Sequence, residues 1–469
     1  MSISPTDKRL VLVIAILAAS LTQFDTTAVN IALPVIGAEF HMDAVSLSWI
    51  TTGYLFATAI FLVSIGRIAD IYGRKRIYLY GIAIFTIASF FMIVVPSTGL
   101  LISVRLLQGL GAAMIFGTGI SILTSVCKPE ERGKFLGTYI AFAYIAMTIA
   151  PFLGGVLTQS LGWRSIFFVN VPLGIIACLL ILWKLKGEWA ECAGEQFDLL
   201  GSVIYACAIV LVMAGFSSVP NPVALPFFTA GCIFGIAFAW YELRIPMPVL
   251  AMRLITGNRI FAFSSLAGLL NASATYAVTF LISLDLQYTK GYSPISAGLV
   301  LVVLPMMIGL ITPLSGRLSD RVEPQILASV GMAFTAAGLF ALVFLTESTP
   351  LTYTIVCLVC IGIGYGLFSS PNINAIMGSV DKRYYGIANG INGTVRLLGQ
   401  MLSMGIVMMI FAVVIGQVEI TPEYYPQFIT SQHYAFAVFM VFCIAGIAIS
   451  LKRGKRQPTM TRMEPVKVE

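Results

Sequence analysis

The chain has 469 residues, of which 58% are hydrophobic and 10% charged, with a formal net charge of +7 and a mean hydropathy of +0.93. A soluble protein of this size carries about a quarter charged residues, so the composition excludes a soluble domain and describes a polytopic membrane protein. The surplus of positive charge takes its meaning from where it sits along the chain, and no nucleic-acid partner is implied.

Apolar runs long enough to cross a bilayer as helices follow one another from the start. Residues 10–33, 47–65, 77–95, 100–125, 135–158 and 165–183 form a first set. Residues 199–217 and 224–241 form a pair, and residues 260–284, 296–315, 325–345, 351–370, 388–416 and 434–451 close the chain. The first run follows Lys8 and Arg9 as a signal peptide would, but it is longer than a signal core and contains Asp25, which marks it as a retained helix. Fourteen helices put both termini on one side. Lysine and arginine say which side. With the N-terminus in the cytoplasm, the 28 Lys and Arg residues all fall on the cytoplasmic face except Arg164 and Lys290 outside and Arg105 and Arg396 within helices. The tail from Lys452 onward reads as a basic cytoplasmic end. His41 and His433 are expected in external loops. Cys357 and Cys360 have CxxC spacing inside an apolar helix, with no second pair or histidine nearby, so packing is expected of them rather than metal or redox chemistry. No cofactor or metal is expected.

Between the second and third helices lies Gly66-Arg-Ile-Ala-Asp70-Ile-Tyr-Gly73-Arg74-Lys75-Arg76, read as a glycine-bracketed cytoplasmic turn. Gly66 and Gly73 permit a tight bend and close helix approach. Asp70 can cap a neighbouring helix N-terminus, and the basic cluster suits anionic lipid headgroups. Gly66-Arg67-x-x-Asp70 recurs 250 residues later as Gly316-Arg317-x-x-Asp320, at the same place in the second half. The second copy lacks the Gly-Arg-Lys ending and continues as Val322-Glu323-Pro324. The repeat predicts two parallel six-helix bundles related about the membrane normal. The expected divisions are residues 1–190, an inserted pair with linkers at 191–258, a second bundle at 259–451 and the tail at 452–469.

Three helices carry chemistry that lipid does not tolerate without reason. Asp25 lies about two thirds along the first helix, where a carboxylate must face water or a partner, and its protonation can serve as a switch. The alternative is a carboxylate held for packing. Arg105, in Arg105-x-x-Gln108-Gly109-x-Gly111 of the fourth helix, must likewise meet carbonyls, a carboxylate or water. The fifth helix carries Gly137, Ala146, Ala150, Pro151, Gly154 and Gly155, a small-residue face interrupted by a proline. Asp285, at the outer end of the seventh core helix, is either a second proton or cation site or a solvated helix end. Asn30, Tyr54, Asn392 and Arg396 are candidates for a cavity rich in aromatic residues, among them Tyr139, Tyr276 and Tyr365.

These motifs resemble those of the major facilitator superfamily, and specifically its fourteen-helix drug–proton antiporter branch. Gly66-x-x-x-Asp70-x-x-Gly73-Arg74-Lys75 is similar to the family's signature loop, and Asp25-x-Thr27-x-x-Asn30-x-Ala32-Leu33-Pro34 to the branch's first-helix pattern. The fourth-helix arginine motif and the fifth-helix antiporter motif are matched by the residues above, with Ala146 and Ala150 standing where the antiporter pattern has glycine. Weaker matches run through Trp163–Gly174, Phe197–Gly201, Glu242–Arg259 and Asn389–Gly399. The resemblance implies a multi-pass protein of the cell membrane, acting as a monomer, that exchanges protons for amphiphilic or lipophilic small molecules by alternating access. It further implies proton coupling through Asp25 and Arg105, and a cytoplasmic gate at Asp70 with Arg132 as its partner. A facilitator for one metabolite or lipid is the runner-up, and a membrane receptor or scaffold the reading from outside transport. An integral-membrane enzyme would need clustered His, Asp, Glu or Cys at one interface, which the sequence does not offer.

Overall fold

A computed structural model describes residues 5–127, 131–185, 187–319, 321–381 and 384–454. Asp320 of the repeat, Pro129 and Glu130 beside Arg132, and the tail beyond Gly454 lie outside the described residues. The first six helices are α1 (Pro5–Phe40), α2 (Ala44–Tyr72), α3 (Arg74–Val94), α4 (Thr98–Val126), α5 (Arg132–Leu161) and α6 (Arg164–Lys184). The inserted pair is α7 (Leu199–Ser218) and α8 (Ala224–Glu242), followed by the short α9 (Met252–Thr256). The second bundle holds α10 (Arg259–Leu284) with a π-helical turn at Asp285–Thr289, α11 (Pro294–Leu301) running into α12 (Val303–Leu318), α13 (Pro324–Leu342), α14 (Leu351–Gly378), α15 (Tyr385–Val414) and α16 (Tyr425–Lys452). Among the described residues, 14 helical segments are long and apolar enough to span a membrane, α11 and α12 counting as one. The break between those two is explained by Pro305, which has no N–H to give the Leu301 carbonyl.

Several helices run past the apolar segments that announce them. In a bilayer every backbone polar group needs an internal partner, so a helix continues until a residue stops it. Thus α2 does not end at Ile65 but at Tyr72, and α3 begins at Arg74. The expected turn therefore shrinks to Gly73, whose φ of +117° is a conformation that favours glycine. Gly66 stands inside α2 with open space where a Cβ would go and bends nothing. His433 is likewise not in a loop: it sits in α16 and bonds the Leu345 carbonyl at 2.6 Å.

Within the first bundle α4 packs against α2 and α3, and α1 against α5; within the second, α14 packs against α12 and α13, and α10 against α15 and α16. The inserted α7 leans on α2 and α15, with the Tyr205 hydroxyl donating to the Ala59 carbonyl at 3.1 Å. The two bundles meet most tightly at their external ends. Ala28–Leu33 of α1 and Leu281–Leu286 at the end of α10 are buried. Toward the basic, cytoplasmic side the packing loosens. Ser20, Gln23, Phe24, Thr26 and Thr27 of α1 stay partly exposed, and α5 has no buried residue before Ala150. The molecule is sealed outside and open inward.

Candidate functional site: a buried ion pair at the top of an inward cavity

Asp25 and Arg105 meet where the loose and tight regions join. Arg105 Nη1 donates to Asp25 Oδ2 at 2.7 Å, and the side chains are 0% and 1% exposed. Neither charge is left to bonds with its partner alone. Arg105 also donates to Gln108 Oε1 at 2.7 Å and to the Ile50 carbonyl at 2.9 Å. Gln108 Nε2 passes the chain on to Ser89 Oγ at 2.9 Å, and Asn170 Nδ2 donates to the second carboxylate oxygen of Asp25 at 3.1 Å. A buried pair is tolerable only when its remaining lone pairs and protons are satisfied in this way. Tyr54 and Phe167 lay their rings against the guanidinium, with centroids 5.0 and 5.8 Å from Cζ.

Close backbone approach makes the site possible. A Cβ on Gly109 would come within 2.4 Å of the Tyr54 carbonyl, and one on Gly111 within 2.8 Å of the Phe85 nitrogen. Alpha-4 is thereby pressed onto α2 and α3 with Arg105 facing α1. Tyr54 from the first half and Tyr276 from the second lie within electrostatic reach of the pair. The hydroxyls of Tyr54 and Tyr276 have no partner among the described residues.

The fifth-helix motif divides in two. Gly137 has open space where a Cβ would stand, whereas Ala150, Pro151, Gly154 and Gly155 are buried. A Cβ on Gly154 would come within 2.9 Å of the Ala28 Cα, and one on Gly155 within 2.4 Å of the Pro294 carbonyl in the other half. A Cβ on Gly298 of α11 would return the contact, within 2.4 Å of the Pro151 carbonyl. Asn30 is buried, accepts from Thr51 at 3.1 Å, and lies in the external seal rather than in an open cavity. Asn392 is partly exposed and Arg396 exposed, both on α15. Asp285 is no solvated helix end. It is 2% exposed, Thr289 donates to its Oδ1 at 2.6 Å, and its Oδ2 has no partner among the described residues.

The cytoplasmic loop differs most from expectation. Arg74 is buried and committed: it bonds Asp70 Oδ1 at 2.7 Å, Ser125 Oγ at 2.7 Å and Glu191 Oε1 at 2.6 Å. Glu191, in the linker after α6, is held below the usual carboxylate range chiefly by its hydrogen bond from Arg74. The linker grips the rest of the loop as well. Cys192 N donates to the Asp70 carbonyl at 3.0 Å, Arg74 N to the Trp189 carbonyl at 2.9 Å and Lys75 N to Glu188 Oε1 at 2.8 Å. Arg67 pairs with Glu195, and Arg76 lies 3.6 Å from Glu188. The basic cluster is thus occupied by acids of the chain itself, not presented whole to lipid headgroups. Arg132 does not bond Asp70; it donates to the Cys127 carbonyl at 3.4 Å and acts on Glu191 from a distance. Asn170, on Asp25, and the Glu188–Glu195 linker, on the basic loop, are the partners hardest to foresee. An amide inside the apolar run after Trp163 and acids spaced three and four apart behind a basic loop were the signals available.

A family profile described as Major Facilitator Superfamily matches residues 15–404. The riboflavin transporter RibZ of Clostridioides difficile (strain 630) is 28% identical over 444 residues, covering 95% of this chain and 97% of that one. The multidrug resistance protein Stp of Mycobacterium tuberculosis (strain CDC 1551 / Oshkosh) is 31% identical over 392 residues, covering 81% and 72%. Among solved structures, a bacterial homolog of the human lysosomal transporter Spinster, in an inward-facing and unoccupied conformation, superposes with a TM-score of 0.70 at 17% identity over 96% of this chain and 97% of that one. This last likeness speaks for the fold alone.

Proposed function

Because the chain belongs to the major facilitator superfamily, whose members move small molecules across membranes, we propose that it is a proton-coupled antiporter exporting amphiphilic and lipophilic compounds by alternating access. Family membership makes it a transporter rather than an enzyme, receptor or scaffold, and a multi-pass protein of the cell membrane. The observation that carries the finer reading is the Asp25–Arg105 pair, 2.7 Å apart and closed off from solvent at the end of the inward cavity. Protonating Asp25 would remove one charge of a buried ion pair and leave Arg105 short of an anion, and a buried charge without its partner is unfavourable unless the surroundings rearrange. A rearrangement driven by that cost is what coupling requires. The likeness to Stp, named as a multidrug resistance protein, supports a broad substrate range.

A second reading, a carrier for one dedicated metabolite, is supported by the full-length likeness to a riboflavin transporter. Growth inhibition of expressing cells against a compound panel separates the two by the number of compounds exported. The coupling itself is tested with Asp25→Asn in proteoliposomes, using an exported compound from that panel. The variant is expected to keep downhill exchange and to lose accumulation driven by a proton gradient. Uphill transport at the parental level would overturn the assignment.

A further inference from the structure

We propose that Arg396 is the anion-binding element of the substrate cavity, and that the preferred substrates are planar aromatic compounds bearing one carboxylate-like group. This rests on the reading above that the space between the halves is the substrate path.

On α15, Asn389, Asn392, Arg396 and Gln400 recur at spacings of three and four, which places them on one helix face. Lipid is a costly surroundings for such a stripe. Arg396 instead acts electrostatically on Tyr139 and Tyr144 of α5, which belongs to the opposite half. Tyr144 is in turn within reach of Tyr365 and Ser369 on α14. Guanidinium and phenols therefore face one another across the space between the bundles. Arg396 is exposed there, and among the described residues it has neither an ion pair nor a hydrogen bond.

The charge balance of the cavity follows. Asp25 and Arg105 neutralise one another at 2.7 Å, and Asp285 lies buried at the sealed external end. Arg396 remains as an uncompensated positive charge inside a helix that contains no acid. A cleft between low-dielectric walls concentrates the field of such a charge and raises the local concentration of anions. A guanidinium presents a planar fork that takes a carboxylate through two parallel bonds. Tyr139, Tyr144 and Tyr365 supply flat amphipathic surfaces on which an aromatic body can lie. Cations, and dications most of all, are repelled by the same arrangement.

The test is equilibrium binding to the full-length protein in detergent at neutral pH, with no gradient. Three fluorescent probes differ at one substituent: a coumarin carboxylate, the matching carboxamide, and a coumarin with a quaternary ammonium group in the same place. The parent is expected to bind the carboxylate about tenfold more tightly than the carboxamide, the gain of one charge-assisted pair, and the ammonium probe most weakly. Arg396→Gln should bring carboxylate and carboxamide within about twofold of each other, and Arg396→Lys, which keeps the charge but not the fork, should fall between. A parent that does not favour the carboxylate overturns the inference by itself. So does a preference that survives in Arg396→Gln. Since no proton gradient enters, uphill transport retained in Asp25→Asn with the carboxylate preference intact would remove only the coupling assignment, and coupling lost in Asp25→Asn with no carboxylate preference in the parent would remove only this inference.

Discussion

Ser283 of α10 donates to the backbone carbonyl of Asn30 in α1 at 2.7 Å, joining the two halves through a bond that Pro34 makes available. In an unbroken helix the Asn30 carbonyl would accept from the N–H of residue 34, but a proline there has none to give. The freed acceptor is met from the other bundle. Gln287 takes the next carbonyl, that of Ile31, at 3.0 Å. A proline inside α1 thus becomes part of the external seal.

Removing that bond should loosen the seal. Ser283→Ala forfeits about 0.5–1.5 kcal/mol in favour of the sealed state, a shift of roughly two- to tenfold toward external opening. Pro34→Ala should act in the same direction, because a restored N–H competes for the Asn30 carbonyl. Spin labels on the external ends of α1 and α11 would read the change as a growing long-distance population. An unchanged distribution in both variants would show that the bond does not bear on closure.

A second prediction concerns the glycines that bring backbones together. Gly155→Ala and Gly298→Ala each place a methyl against a carbonyl of the opposite half at 2.4 Å, where no flexible side chain can yield. Both should force α5 and α11 apart and raise external labelling of a nearby introduced cysteine. Gly137→Ala, with nothing within 4 Å, should leave labelling at the parental level. Equal effects from all three would point to general destabilisation instead.

The clasp between linker and signature loop yields a prediction with a pH signature. Glu191→Gln leaves Arg74 paired with the Asp70 carboxylate and bonded to Ser125, and the melting temperature at pH 7 should fall by a few degrees at most, since Glu191 is 62% exposed and such pairs are worth about 0–1 kcal/mol. Arg74 lowers the folded-state pKa of Glu191 below the ordinary glutamate range, so the contribution is present above that range and is lost as pH falls through the folded value. Parent and variant should therefore differ by a constant amount from pH 8 down to the ordinary carboxylate range and converge only in more acidic solution. A difference that disappears near neutrality would assign the effect to another group.

The spans were legible because a bilayer constrains each segment on its own: a run must be apolar and about 20 residues long whatever its neighbours do. Asp25 and Arg105 were legible for the related reason that a charge in lipid needs an explanation within the protein. Their meeting, with Asn170 as a third member, depends on which face each helix turns inward, and helices apolar on nearly every side leave that rotation unwritten. The Asp70 loop misled for another reason. Its charges pointed to lipid and to Arg132, while the acids that occupy them, Glu188, Glu191 and Glu195, lie more than 100 residues further along the chain. Arg396 stood out as a lone charge, but only the opposing tyrosines of α5 give it a direction.

The neutrality of the Asp25–Arg105 pair has a consequence for how the membrane potential acts on the carrier. With both groups ionised the buried pair has no net charge, so a voltage finds little to pull on. A proton on Asp25 leaves one positive charge there, and one charge crossing a potential of 100 mV is worth about 2.3 kcal/mol. On the coupling proposed above, an interior-negative voltage would assist the stroke that brings the proton-loaded site toward the cytoplasm and leave the unloaded pair electrically silent. Asp25→Asn would instead fix a positive charge at this depth throughout the cycle, making every stroke of the empty carrier voltage-sensitive.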